Sequence, residues 1–136
     1  MEIKFTKISE INDPSVKYIA SNIDYNLGLG DEFFIFSNVL LSEFNILYVS
    51  VEFENVAIDA TSTIELQRCA TQNAPVQSDF IPVPGGILSI DTGAKVINDF
   101  NYSIFGWDRT ALSFVNTAGT TTGALKNIIV LSKKQI

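Results

Sequence analysis

The sequence predicts an all-β fold: one β-sandwich of jelly-roll or Greek-key type, built from about eight antiparallel strands across residues 1–136. Two observations carry this expectation. Apolar residues recur with a period of two over most of the chain, which gives a strand one dry and one wet face. Turn-forming clusters, NDP at 12–14, LGLGD at 27–31, PVPGG at 82–86 and DTG at 91–93, punctuate those runs. Helical patterning is poor, because β-branched and aromatic residues dominate everywhere except VLLSEFNIL (39–47), where a turn of helix is conceivable.

In chain order, the first strand candidates are IKFTKI (3–8), VKYIASNI (16–23) and EFFIFSNV (32–39). ILYVSVEFE (46–54) follows, with Leu47, Val49, Val51 and Phe53 on one face and Ile46, Tyr48, Ser50, Glu52 and Glu54 on the other. STIELQR (62–68) turns Ile64 and Leu66 inward against Thr63, Glu65 and Gln67. The stretch from Cys69 to Gly86 lacks periodicity and holds three of the four prolines. Each proline removes a backbone donor, so this reads as a surface excursion able to cross between sheets. ILSID (87–91), NYSIFGW (101–107), ALSFV (111–115), with Leu112 and Phe114 on one face, and NIIVLSK (127–133) complete the set. NTAGTTTG (116–123) sits between the last two strands and reads as a hairpin tip. A phosphate-binding loop is excluded there: Gly119 and Gly123 are three residues apart rather than four, Ala124 and Leu125 stand where lysine and serine or threonine belong, and the segment that follows is strand-like.

Composition bounds the function. With 46% hydrophobic and only 18% charged residues, part of the apolar surface is expected at a partner rather than in water. The net charge of −6 and a pI near 4.4 argue against a nucleic-acid partner. Charge is uneven: residues 1–68 carry eleven acids and four bases, and no acid follows Asp108. Arg109, Lys126, Lys133 and Lys134 thus form either a solvated C-terminal edge or a basic edge that meets the acidic half of a neighbouring copy. No signal peptide or transmembrane segment is expected, since the longest apolar runs, FFIF and IIVL, are far too short to span a bilayer.

No catalytic residue, metal ligand set or cofactor is predicted. The chain has no histidine, which removes the usual general base and the commonest zinc ligand. Its lone cysteine, Cys69, reads as a half-buried small hydrophobe. Asp24, Asp31 and Glu32 are either a calcium-binding loop or a solvated turn, and Glu52 and Glu54 share the wet face of one strand. The one constellation suited to ligand binding is NYSIFGWDR (101–109). Tyr102, Trp107, Asp108 and Arg109 could form a carbohydrate platform, with an indole stacking on a sugar ring and charged groups bonding its hydroxyls. Otherwise Trp107 closes the core while Asp108 and Arg109 make a turn. Asn101-Tyr102-Ser103 also fits a glycosylation sequon.

The closing segment ALSFVNTAGTTTGALKNIIVLSKK, with PVPGGILSID before it, resembles the small β-sandwich structural proteins of bacteriophage virions: capsid, vertex, decoration or tail-associated modules. The resemblance runs over residues 80–136. It implies a non-enzymatic virion protein forming a homo-oligomer, a trimer or pentamer, with other virion proteins as partners and no membrane insertion. The alternative is a carbohydrate- or receptor-binding sandwich that uses the platform around Trp107.

Overall fold

In a computed structural model the chain is described over residues 1–9, 15–37, 46–57, 62–69, 75–103, 109–117 and 119–133. Eleven strands lie within them: β1 (Glu2–Lys4), β2 (Thr6–Ser9), β3 (Ser15–Ala20), β4 (Tyr25–Asn26), β5 (Glu32–Ser37), β6 (Ile46–Ala57), β7 (Thr63–Cys69), β8 (Ile81–Ser89), β9 (Gly93–Ser103), β10 (Arg109–Val115) and β11 (Thr122–Lys133). They form two sheets. The first has the order β1-β5-β10-β7-β8, the second β2-β3-β11-β6-β9, with β4 beside β11.

Eight of these strands make a jelly roll. Folded in half at the β7–β8 connection, the chain pairs β7 with β8, β6 with β9, β5 with β10 and β3 with β11, every pair antiparallel. That long ribbon then rolls so that successive pairs alternate between the sheets. The remaining pieces extend the edges. The 3–8 segment predicted as one strand divides at Phe5, whose ring is buried 4.8 Å from Phe36, so β1 joins the first sheet in parallel with β5 and β2 joins the second.

The predicted inward faces hold wherever the side chains are described, which leaves out Leu47. Val49, Val51 and Phe53 of β6, Ile64 and Leu66 of β7, and Leu112 and Phe114 of β10 are all buried, with Phe34, Phe36, Leu125, Ile128 and Val130 in the same core. Each such side chain contributes roughly 1.5–3 kcal/mol on leaving water, and together they fix the register.

Three expectations need correction. β10 and β11 are not a hairpin: they lie in opposite sheets, and NTAGTTTG crosses from one to the other. β11 is no edge either. It sits between β3 and β6, because its alternating Ile128 and Val130 are apolar enough for the middle of a sheet. The proline-rich stretch does not cross sheets, since β7 and β8 are neighbours in one sheet. β8 runs from Ile81 through Pro82 and Pro84. Gln67 faces Pro82 and Glu65 faces Ile87, so residues 83–86 bulge out opposite Leu66. An edge strand tolerates the missing donors. The expected helical turn at 39–47 lies mostly outside the described residues, and β9 begins eight residues before the predicted strand at Asn101.

Candidate functional site

The crossing at Asn116–Gly123 is pinned by buried polar groups. Asn116 Nδ2 donates to Leu27 O (3.2 Å) and Thr121 O (3.3 Å), while its Oδ1 accepts from Thr121 N (3.2 Å). Its own backbone N–H donates to Asp31 Oδ1 at 2.7 Å, and the Thr121 and Ser62 hydroxyls bond to each other. Asparagine suits this position because one amide supplies both the donors and the acceptor required. Gly123 follows at φ +118°, where a Cβ would stand 2.8 Å from the carbonyl oxygens of Glu54 and Asn55. The segment expected to be a hairpin tip is a clamp between sheets.

The acidic residues of the LGLGD region and Asp24 are each taken by a different partner. Asp31 caps Asn116, Glu32 Oε1 accepts from the Met1 ammonium at 3.1 Å, and Asp24 pairs with Lys126. Tyr25 donates to Gly30 O, and burial, then the charges of Glu32 and Asp31, raises its phenol above the usual value.

Two surfaces stand out. On the outer face of the first sheet, Phe33, Cys69, Phe80 and Ala111 form a second apolar cluster against Ile35, with the Phe33 and Phe80 rings edge-on at 5.2 Å. Cys69 is 2% exposed, deeper than the half-burial expected. The short 3-10 turn at Gln77–Asp79 precedes Phe80, and Val76 N donates to Asp79 Oδ2 at 2.8 Å. A cavity of about 520 Å3 opens among Val76, Phe33, Ile35, Val115, Asp31 and Glu32. Its two carboxylates already accept donors from within the chain, so their role there is to hold the loops.

The other surface is the outer face and free margin of the second sheet. Glu52 accepts from Asn127 Nδ2 (2.7 Å) and pairs with Lys95 (3.0 Å), which together hold its carboxyl below the ordinary range. Lys126 is held protonated by Asp24 first, with Glu54 3.8 Å away. One of the basic residues expected to face a neighbouring copy is thus paired within its own chain. Asp99 takes the hydrogen bond of the Tyr48 hydroxyl, raising that phenol. Ile97 of β9, on this margin, is more than half exposed, as are Ile81 and Ile87 of β8, the edge strand of the first sheet. A groove of about 220 Å3, lined by Pro84, Gly86, Leu88, Asp99 and Asn101, separates the two strands.

Of the four platform residues, Trp107 and Asp108 lie outside the described residues. Tyr102 is in β9 with its backbone opposite Leu47. Arg109 opens β10, half buried, and its guanidinium donates to Phe36 O at 3.5 Å. Sequence reasoning missed the β8–β9 margin. Its signal was the isoleucine at 97 between Lys95 and Asp99, an apolar residue on an otherwise wet face.

Among the described residues no helix is long and apolar enough to cross a membrane. No protein-family model matches the chain, and no curated protein is similar to it in sequence. Solved structures resemble it distantly, at low identity. The coat protein of Tobacco streak virus is 12% identical, with 95% of this chain and 93% of that one covered and a TM-score of 0.47. The CBM22-1 xylan-binding domain of Paenibacillus barcinonensis Xyn10C is 12% identical over 97% and 81%, at 0.46. The Eiger TNF of S. frugiperda is 18% identical over 68% of this chain, at 0.41, and the match spans only 61% of that chain. The jelly-roll β-sandwich rests on the strand pairing within this chain, and these likenesses assign it no role.

Proposed function

We propose that this protein is a non-enzymatic structural component of a virion that self-assembles or docks on other capsid proteins. The observation that carries the proposal is the exposure of isoleucines on two sheet-edge strands, Ile81 and Ile87 on β8 of the first sheet and Ile97 on β9 of the second. A sandwich with only 18% charged residues leaves such a margin exposed at a cost, which burial between copies removes. The resemblance of residues 80–136 to bacteriophage virion modules supplies the virion setting, and a jelly roll clamped between its sheets supplies a rigid building block. Light scattering across the micromolar range, with electron microscopy of any particles, tests the reading. A symmetric oligomer such as a trimer or pentamer supports it, and a monomer at every concentration overturns it.

A second reading is a carbohydrate- or receptor-binding module using Tyr102, Trp107, Asp108 and Arg109. The observation in its favour is that Ser103 and Arg109, which flank residues 104–108, end strands of opposite sheets. Saturable quenching or shifting of Trp107 fluorescence by a glycan, in a chain that stays monomeric, supports this reading. A tryptophan spectrum indifferent to a broad glycan panel overturns it.

A further inference from the structure

The four sheet edges are not alike. β1 is three residues long and β2 four, too short to template another strand. β8 carries Pro82 and Pro84 and bulges at residues 83–86. Prolines, short strands and bulges are the usual devices that stop a sheet edge from pairing further. β9 has none of them. It runs eleven residues without proline, pairs with β6 in unbroken register from Gly93 to Ser103, and among the described strands pairs with no other. Its outward-facing residues are Lys95, Ile97, Asp99 and Asn101, all exposed, with Ile97 at 56%.

From this we infer that β9 is a two-fold pairing edge that joins two copies of this chain into one continuous sheet, with Ile97 on the symmetry axis. This rests on the self-assembly reading and names its surface. The charge pattern selects the occupant. An antiparallel pairing of β9 with itself about Ile97 sets Lys95 opposite Asp99 of the second copy, and Asp99 opposite its Lys95. Ile97 meets Ile97, and Gly93 meets Asn101. Residues directly opposite each other on one face of a sheet lie within reach, with Cβ atoms about 4.5–5.5 Å apart. Two ion pairs therefore flank a central apolar contact, and the same patch serves both copies, as a two-fold interface requires. Lys95 stays able to serve both carboxylates: it is 66% exposed beside Glu52, and its ammonium has three donors. Asp99, holding the Tyr48 hydroxyl, keeps further lone pairs for a partner's lysine. Any other register loses both charge pairs, and a shift by one residue would set the wet face of one strand against the dry face of the other.

Charge reversal tests this on the full chain. The unaltered protein, Lys95→Glu, Asp99→Lys, the double variant and an equal mixture of the two single variants are compared by sedimentation or light scattering. Circular dichroism confirms that each is folded. Each single variant sets like charges opposite each other twice, so its association should weaken about tenfold or more. The double variant and the mixture both restore opposite charges and should recover association. A second readout does not depend on charge: Ile97→Cys should form a disulfide-linked dimer on mild oxidation, because Cys69 is buried and cannot compete. If the unaltered protein associates but the single variants do so equally well, or Ile97→Cys fails to cross-link, the edge is refuted while self-assembly stands. A strictly monomeric unaltered protein refutes both.

Discussion

Asn116→Ala should be among the most damaging single substitutions at any polar residue of this chain. The side chain makes three hydrogen bonds, to Leu27 O, Thr121 O and Thr121 N, at 8% exposure. Truncation leaves two carbonyls and one N–H without their partner where water has poor access. Each lost bond costs about 1 kcal/mol net, and more when the group left behind stays buried, so the loss sums to about 3 kcal/mol. With a urea m-value of about 2 kcal/mol/M for a chain this size, the midpoint should fall by about 1.5 M with the slope unchanged. Thr117→Ala, exposed in the same crossing, is the control and should move stability by no more than about 0.5 kcal/mol. Asn116→Asp extends the test. The introduced carboxylate would face two carbonyl oxygens, so its folded pKa rises above the unfolded value and the neutral form is favoured. Its penalty should be smallest below about pH 4 and should grow as pH rises through that range. A midpoint shift under about 0.3 M for Asn116→Ala would refute the clamp, and would mean that the crossing is held by apolar packing alone.

Other outcomes follow from the same geometry. Gly123→Ala should cost about 3 kcal/mol or more in chemical denaturation, because φ +118° is strained for alanine and its Cβ would meet two carbonyl oxygens at 2.8 Å. A loss under about 1 kcal/mol would contradict the close approach of β6 and β11 there. Glu52 has a carboxyl held low by Asn127 and then Lys95, so its stabilising effect is present above its ordinary pKa of 4.5 and is lost as pH falls through the lower folded value. Glu52→Gln should therefore flatten the acid side of a stability-against-pH curve, and an unchanged curve would remove the role of that pair. The Cys69 thiol should resist a water-soluble disulfide reagent in the folded protein and react fully in denaturant, and fast labelling under native conditions would contradict its burial.

The sequence by itself determined which residues face inward along most strands, and through them the all-β sandwich. Period-two alternation is local, so Val49, Val51 and Phe53, or Ile64 and Leu66, reveal their faces without knowledge of any partner strand. It was weaker where the alternation is broken for a tertiary reason. β9 was foreseen only from Asn101 because Asn98 points inward, donating to Ser89 O, while Ile97 points out, which blurs the period. β8 was foreseen only from Ile87, its first six residues being hidden by prolines that an edge position permits. Sequence proximity also misled: Leu112 and Phe114 stand next to NTAGTTTG and a second apolar run, which reads as a hairpin, yet the two strands lie in different sheets. Which strand lies beside which is settled by contacts far apart in the chain, such as β3 with β11 and β5 with β10. Those pairings depend on how whole faces fit together once the core closes, and no local window contains that. The same holds for the β9 margin: Lys95, Ile97 and Asp99 are plain in the sequence, but only the tertiary structure shows that, among the described strands, theirs is paired on one side alone.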